Sequence, residues 1–303
     1  LTRALACMSR YGDDITIHVD TDSFCVSATN SSETAYCKFR YERLFFSRYY
    51  ANINYGESFE AGKLSAKTLL SILKNRSFEN AVDRCEISIA EGNPDEREDQ
   101  DSLASNMIIR LFCKHGKIAI TSIEPGVIKT HRIVLSVPLC IGAPCVPESA
   151  AESRLTMGPK SIRSMLRHFP PGGPKQDPQL VWVFTYTDVT VHWAKSPLDL
   201  KHKEISTQMK LEVTEFETYE LASSPITIAF HMREFCATIA YAESMDLTLD
   251  LCFTNGADPL FINVRAERGD ALFIIGSATA PEDLVKSSQQ SQSKSQEASS
   301  KTR

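Results

Sequence analysis

Gly158-Pro159-Lys160-Ser161-Ile162-Arg163-Ser164-Met165-Leu166-Arg167-His168-Phe169 sorts its side chains by chemistry when wound as a helix. At 100° per residue, Ile162, Met165, Leu166 and Phe169 fall within about 100° of one another, while Lys160, Arg163 and Arg167 fall within about 60° on the other side. One face suits a hydrophobic core and the other suits anions. Two more stretches set a basic pair seven residues apart against an apolar face: Arg3 and Arg10 against Leu1, Leu5 and Met8, and Lys67 and Lys74 against Leu69, Ile72 and Leu73. A single such helix is ordinarily a solvated surface helix. Three in a chain of net charge -5 call for a common explanation. An acidic chain that contacts a polyanion must gather its cations into a patch, and these helices are the candidates.

The remaining composition narrows the class. A chain of 303 residues with 42% hydrophobic residues can build one large core or two ordinary ones. Its nine cysteines include no CxxC pair and no histidine at zinc-ligand spacing, so they read as reduced thiols of the cytosol or nucleus. No apolar run approaches a membrane span and no signal peptide is visible, so no membrane partner is expected. Glu91 to Ser102 holds six carboxylates and one arginine. Asp95, Glu96, Glu98, Asp99 and Asp101 lack a rigid convergent scaffold there, and the tract reads as a hydrated loop rather than a metal site. GxSxG, HExxH and Walker-type loops are missing, so no catalytic residue, metal or cofactor is expected.

Taken in order, the chain alternates helices with short strands. Leu1 to Arg10 is a helix ended by Gly12. Asp14 to Asp20 and Phe24 to Ala28 form a hairpin, followed by a strand from Ala35 to Tyr41, an apolar knot at Leu44, Phe45 and Phe46, and a strand from Phe59 to Leu64. Ser65 to Arg76 is the second basic-faced helix. Strands follow through Cys85, Ile87 and Ile89, then Met107 to Cys113, Lys117 to Ile123 and Val127 to Val137. Pro138 to Ser153 is rich in Pro and Gly and reads as a linker. Beyond it the order repeats: the third basic-faced helix, a hairpin of Leu180 to Tyr186 and Val189 to Lys195, strands at Ile205 to Val213 and Ile226 to Phe230, a helix from Met232 to Met245, and closing strands to Ala278. That order is the signature of a duplication. Lys286 to Arg303 is rich in Ser, Gln and Lys, which predicts a disordered tail. Ser-Gln pairs at Ser288, Ser291 and Ser295 are candidate phosphorylation sites for damage-responsive kinases.

The duplicated order resembles the sliding clamps related to the proliferating cell nuclear antigen. Ser9-Arg10-Tyr11-Gly12-Asp13, Asn30-Ser31-Ser32-Glu33-Thr34-Ala35-Tyr36, Leu44-Phe45-Phe46 and Phe112-Cys113-Lys114-His115-Gly116 narrow this to the Rad-nine subunit family of the DNA-damage checkpoint clamp, the nine-one-one complex. Arg233-Glu234-Phe235, Ala242-Glu243-Ser244 and Phe273 to Ala280 are similar to the same family. Two departures stand out: the family's first strand should precede Leu1, and Lys117 to Gly126 is longer than the pattern needs.

The resemblance implies an α+β, two-domain sliding-clamp fold with helices on the inner face of an outer antiparallel sheet. Residues 1-137 would form the first clamp domain, without its first strand. The connector would be 138-153, the second domain 154-280, and the disordered tail 281-303. It further implies a nuclear subunit of a heterotrimeric ring with two sister clamp subunits, put on duplex DNA by a clamp loader and joined through its phosphorylated tail to a phospho-binding checkpoint mediator. Arg3, Arg10, Lys67, Lys74, Lys160, Arg163 and Arg167 are expected on DNA phosphates. Arg132, Ile133, Leu135, Met209 and Leu211 are expected at subunit interfaces on edge strands Lys129 to Val137 and Ser206 to Val213. Leu139, Ile141 and Val146 are expected to border a pocket for partner peptides. A homotrimeric replication clamp shares the fold but ordinarily ends soon after its last strand. A metal-dependent exonuclease using the acidic loop is the alternative of another class.

Overall fold

The computed structural model describes residues 1-53, 58-74, 82-91, 105-113, 128-137, 152-170, 178-194 and 207-278. The acidic tract from 92 to 104, the stretch from 114 to 127, the connector from 138 to 151 with Leu139, Ile141 and Val146, and the tail with Ser288, Ser291 and Ser295 lie outside the described residues. The chain divides into two compact units, Leu1–Ser31 with Lys38–Ala143 and Ser32–Cys37 with Pro144–Arg303.

Unit 1 runs α1 (Thr2–Tyr11), β1 (Asp14–Asp20), β2 (Ser23–Thr29), β3 (Ala35–Glu42), β4 (Ser58–Ser65), α2 (Ala66–Leu73), β5 (Val82–Glu91), β6 (Ser105–Cys113) and β7 (Ile128–Val134). The first group of strands lies in the order β4-β1-β2-β3, and β5-β6-β7 form a three-stranded sheet. The β1-β2 hairpin pairs Ile17 with Val26 and Val19 with Phe24, as the alternation predicts. From Ser23 to Ala28, however, β2 is buried at every residue, so both of its faces are covered and not one alone. α1 buries Ala4, Leu5, Cys7, Met8 and Tyr11, and its end is fixed by a close approach. A Cβ on Gly12 would collide with the carbonyl of Thr29, so only glycine fits between the helix end and β2. A second glycine, Gly62, sits at φ +135 where β4 shifts register against β1, and a Cβ there would lie 2.6 Å from that of Leu135.

Unit 2 runs β8 (Ser153–Met157), α3 (Pro159–Leu166), β9 (Gln179–Phe184), β10 (Asp188–Ala194), β11 (Thr207–Glu212), β12 (Thr218–Glu220), β13 (Ile226–His231), α4 (Met232–Met245), β14 (Leu249–Phe253), β15 (Leu260–Ala266), β16 (Gly269–Ile275) and β17 (Ser277–Ala278). Its strands follow the orders β12-β8-β14-β15-β16 and β11-β10-β9-β13-β17. An aromatic cluster ties these layers to α4: Trp182 meets Phe235 at 5.7 Å, Phe230 meets Phe235 at 5.0 Å, and Phe184 stacks on Phe253 at 4.6 Å. Residues 32-37 also pack here. Tyr36 joins Cys252, Phe261 and Ile274, and Gly276 N–H donates to the Thr34 carbonyl at 2.6 Å.

β8 and β12 have no counterpart in the sequence reading, which placed Ser153 in the linker. The five residues of β8 offer only Leu155 and Met157 as buried apolar positions, too few for a period of two to declare itself. With β8 in place, a finer repeat than the two halves emerges. Among the described elements, helix followed by three strands occurs four times, at α1-β1-β2-β3, α2-β5-β6-β7, α3-β9-β10-β11 and α4-β14-β15-β16. The apolar knot also changes character: Arg43–Phe45 forms a 3₁₀ turn, with Leu44 and Phe45 exposed and not buried. Seven cysteines among the described residues are free thiols.

Candidate nucleic-acid interface

The four α-helices among the described residues share one frame. Their fourth residues, Leu5, Leu69, Ile162 and Phe235, are all buried, and their second residues, Arg3, Lys67, Lys160 and Arg233, are all exposed cations. Seven residues further on stand Arg10, Lys74, Arg167 and Ala240, all exposed. A period of 3.6 brings positions two and nine onto the same side, opposite position four. Arg233 was missed because its partner at the ninth position is alanine, so no basic pair flags it; aligning helix starts would have found it.

Each helix reaches this frame by its own local chemistry. Ser65 caps α2, its Oγ accepting from Thr68 N–H at 3.4 Å, and the Asp13 carbonyl accepts from Ala66 N–H at 2.9 Å. α3 starts at Gly158 with Pro159 as its first residue, where a missing N–H costs nothing. The side chains predicted to be apolar here, Ile162, Met165, Leu166 and Phe169, are all buried. α4 takes its first N–H bond from Met232 to the Pro178 carbonyl at 2.9 Å. It ends at Asp246 in the left-handed region, with Leu247 N–H donating back to the Ala242 carbonyl at 3.0 Å.

The cations are not all open to a ligand. Lys67 Nζ lies 2.6 Å from Asp13 Oδ1, Lys160 Nζ 2.9 Å from Asp246 Oδ1, and Arg163 Nε 3.5 Å from Glu243 Oε2. Three of the cations expected on DNA phosphates thus face intramolecular carboxylates at the neighbouring helix end. Arg163 is also half-buried beside Cys236, whose thiol is pushed up to about 11 by burial, with the Arg163 charge acting in the opposite direction. Lys74 is not within α2 but caps it, at φ -106 and ψ 36, so it leaves the ideal helical line from Lys67. Arg10 and Arg167 are exposed near the ends of α1 and α3. α1 packs beside α2 in unit 1, and α3 beside α4 in unit 2. The structure therefore gathers Arg3, Arg10, Lys67 and Lys74 within the first unit and Lys160, Arg163, Arg167 and Arg233 within the second.

The predicted subunit-contact residues divide. β7, with Arg132 and Ile133, pairs only with β6, and β11, with Met209 and Leu211, pairs only with β10; each is the edge of its sheet among the described residues. Leu135 is different. It follows β7, is 1% exposed, packs against Gly62, and its N–H donates to the Ser105 carbonyl at 2.8 Å. A side chain committed to its own core cannot face a sister subunit, and Leu135 is withdrawn from that set. Ile128 and Val134, by contrast, are exposed on β7. Among the described residues no group of three or more His, Cys, Asp or Glu side chains is arranged to hold a metal ion, and no helix is long and apolar enough to cross a membrane.

Known proteins share both sequence and fold with this chain. A family model described as Rad9 matches residues 1–278. The cell cycle checkpoint control protein Rad9 of Drosophila melanogaster is 21% identical over 297 residues, covering 94% of this chain and 55% of that protein. The DNA repair protein rad9 of Schizosaccharomyces octosporus is 20% identical over 319 residues, 95% of this chain and 69% of that protein. The chain thus spans about half the length of the fly relative. Among solved structures, the PCNA2-PCNA3 complex of Sulfolobus tokodaii superposes with a TM-score of 0.61 at 12% identity, over 91% of this chain and 94% of that one. The proliferating cellular nuclear antigen of Entamoeba histolytica gives 0.57 at 12% identity, over 92% and 94%. At such identities the likeness is one of fold, and it establishes the α+β sliding-clamp architecture.

Proposed function

The chain belongs to the Rad9 family, and on that premise we propose that it is one subunit of a heterotrimeric checkpoint clamp that encircles duplex DNA in the nucleus. The observation that carries the reading is the repeated helix frame, with a cation at the second position of each of the four helices among the described residues, in a chain of net charge -5. A protein that must hold DNA and still slide needs phosphate contacts without base contacts, because phosphates carry no sequence information. Cations on helix surfaces meet that need. Ring closure then requires free strand edges, and β7 and β11, each the edge of its sheet among the described residues, support that reading. Two sister subunits complete the ring, a clamp loader opens it, and the scaffold role falls to the connector at Leu139, Ile141 and Val146 and to a tail read by a phospho-binding mediator through Ser288, Ser291 and Ser295.

Mass measurement by size-exclusion chromatography with light scattering, on the chain alone and mixed with candidate sister subunits, tests this assignment. A one-to-one-to-one complex is the expected result. A stable homotrimer of this chain would support the replication-clamp alternative instead.

A further inference from the structure

Two 3₁₀ turns occupy corresponding places in the two units and present opposite surfaces. Glu42-Arg43-Leu44-Phe45-Phe46-Ser47-Arg48-Tyr49 leaves β3, and Glu212-Val213-Thr214-Glu215-Phe216-Glu217-Thr218-Tyr219 leaves β11. Both begin at an extended glutamate, and both end in a Phe-Tyr pair whose rings lie 5.4 Å apart in the first and 5.2 Å apart in the second. The tyrosines do the same work. Tyr49 Oη donates toward the Asp20 and Ser23 carbonyls at 2.6 and 2.7 Å, and Tyr219 Oη donates to the Thr185 carbonyl at 2.6 Å, so each fastens its turn to the tip of a hairpin.

With the frame held by the same anchors, the remaining positions are set by what each turn faces. The unit 2 turn carries Thr214, Glu215 and Glu217, ordinary choices for water. Its counterpart carries Leu44, 71% exposed, and Phe45, 43% exposed, between the exposed Arg43 and Arg48. Phe45 lies 4.7 Å from the ring of buried Tyr41, which makes the exposed apolar surface continuous with the core beneath it. Scattered exposed apolar residues are normal. An adjacent Leu-Phe pair where the twin has Thr214 and Glu215, with Arg43 and Arg48 where the twin has the uncharged Val213 and Thr218, is a contact surface.

We propose that the Arg43–Arg48 turn docks a segment of a partner protein that carries an apolar anchor flanked by carboxylates. The apolar pair supplies the buried centre and the arginines the charged rim, able to take a carboxylate in a bidentate pair. Arginines beside an aromatic ring also describe a single-stranded nucleic-acid contact. Leu44, the more exposed member of the pair, has nothing to offer a phosphate or a base edge, which favours the peptide.

The test uses the full chain and short fluorescein-labelled probes read by anisotropy: a peptide with Leu and Phe among Asp and Glu, the same peptide with both apolar residues replaced by Ser, and an oligothymidylate. The acidic apolar peptide is expected to bind, and to lose affinity about tenfold or more when Leu44→Thr and Phe45→Glu install the unit 2 side chains on the unit 1 turn. Because those residues already fit this frame, the variant is expected to melt like the wild type. Arg43→Ser with Arg48→Thr, which leaves the apolar pair intact, is expected to weaken binding and remove its salt dependence. The proposal fails if no peptide binds at millimolar concentration, if the serine peptide binds equally well, if the swap leaves affinity unchanged, or if the oligonucleotide is the preferred probe.

Discussion

Lys160 Nζ stands 2.9 Å from Asp246 Oδ1, and the pair has a twin in Lys67 and Asp13 at 2.6 Å. In both, a lysine at the second residue of one helix reaches the aspartate just past the end of its neighbour. Each charge is unfavourably placed in its own helix dipole, a cation at the positive end and an anion at the negative end, and each relieves the other. Both pairs are well exposed to solvent, so they orient the lysines without holding them strongly. A DNA phosphate can take the place of the carboxylate.

If these lysines contact DNA as proposed, removing the competing carboxylates is expected to strengthen binding. Asp246→Asn combined with Glu243→Gln is expected to raise the affinity of the assembled ring for duplex DNA by about threefold at moderate salt, with fold and melting temperature little changed. Fluorescence anisotropy across a salt titration measures it. Equal or weaker binding by the variant contradicts the competition.

Arg233 holds in α4 the second position that Lys160 holds in α3, and both are exposed. Arg233→Ser is expected to lower the slope of log affinity against log salt by about one, and Lys160→Glu with Arg163→Glu and Arg167→Glu by about one for each phosphate that is no longer neutralised. An unchanged slope for Arg233→Ser would remove α4 from the interface.

How far the sequence could be read depended on the strength of each local period. The helix faces were legible because Ile162, Met165, Leu166 and Phe169 repeat at a spacing only a helix uses, and α4 runs from Met232 to Met245 as read. β8 was not legible, since five residues with two buried apolar side chains carry no period of their own and gain their place from β12 and β14 on either side. The ion pairs were hidden for a different reason. Asp246 lies 86 positions from Lys160 in the chain, and nothing local brings them together. Leu135 misled because an apolar residue near an edge strand looks the same in sequence whether it turns inward to Gly62 or outward to a partner.

The edge strands give a prediction about assembly. Proline at Ile133 on β7 or at Met209 on β11 removes an N–H and disturbs the edge that a neighbouring strand would use. Each variant is expected to remain folded by circular dichroism while losing one of the two sister subunits in pairwise pull-downs. A folded variant that still forms the complete ring refutes the edge pairing.

His192 gives a prediction about pH. It lies on β10, is 3% exposed, and neither ring nitrogen has a hydrogen-bond partner among the described residues. Burial holds its pKa below the ordinary 6.5. Above that value both folded and unfolded chains hold it neutral. Below it the unfolded chain takes the proton first, so stability falls with pH until the lower folded value is passed. The melting temperature is expected to drop between pH 7 and pH 5 more steeply in the wild type than in His192→Leu; parallel curves would contradict this.

Encirclement itself is tested by topology. The proposed heterotrimer, loaded by a candidate clamp loader onto nicked circular duplex and purified by gel filtration at high salt, should stay with the circle and leave after a single cut by a restriction enzyme. Retention independent of salt on the circle, followed by release on linearisation, is the result the clamp reading predicts. A complex that salt strips equally from circular and linear DNA, or that remains bound after the cut with free ends, binds beside the duplex and not around it.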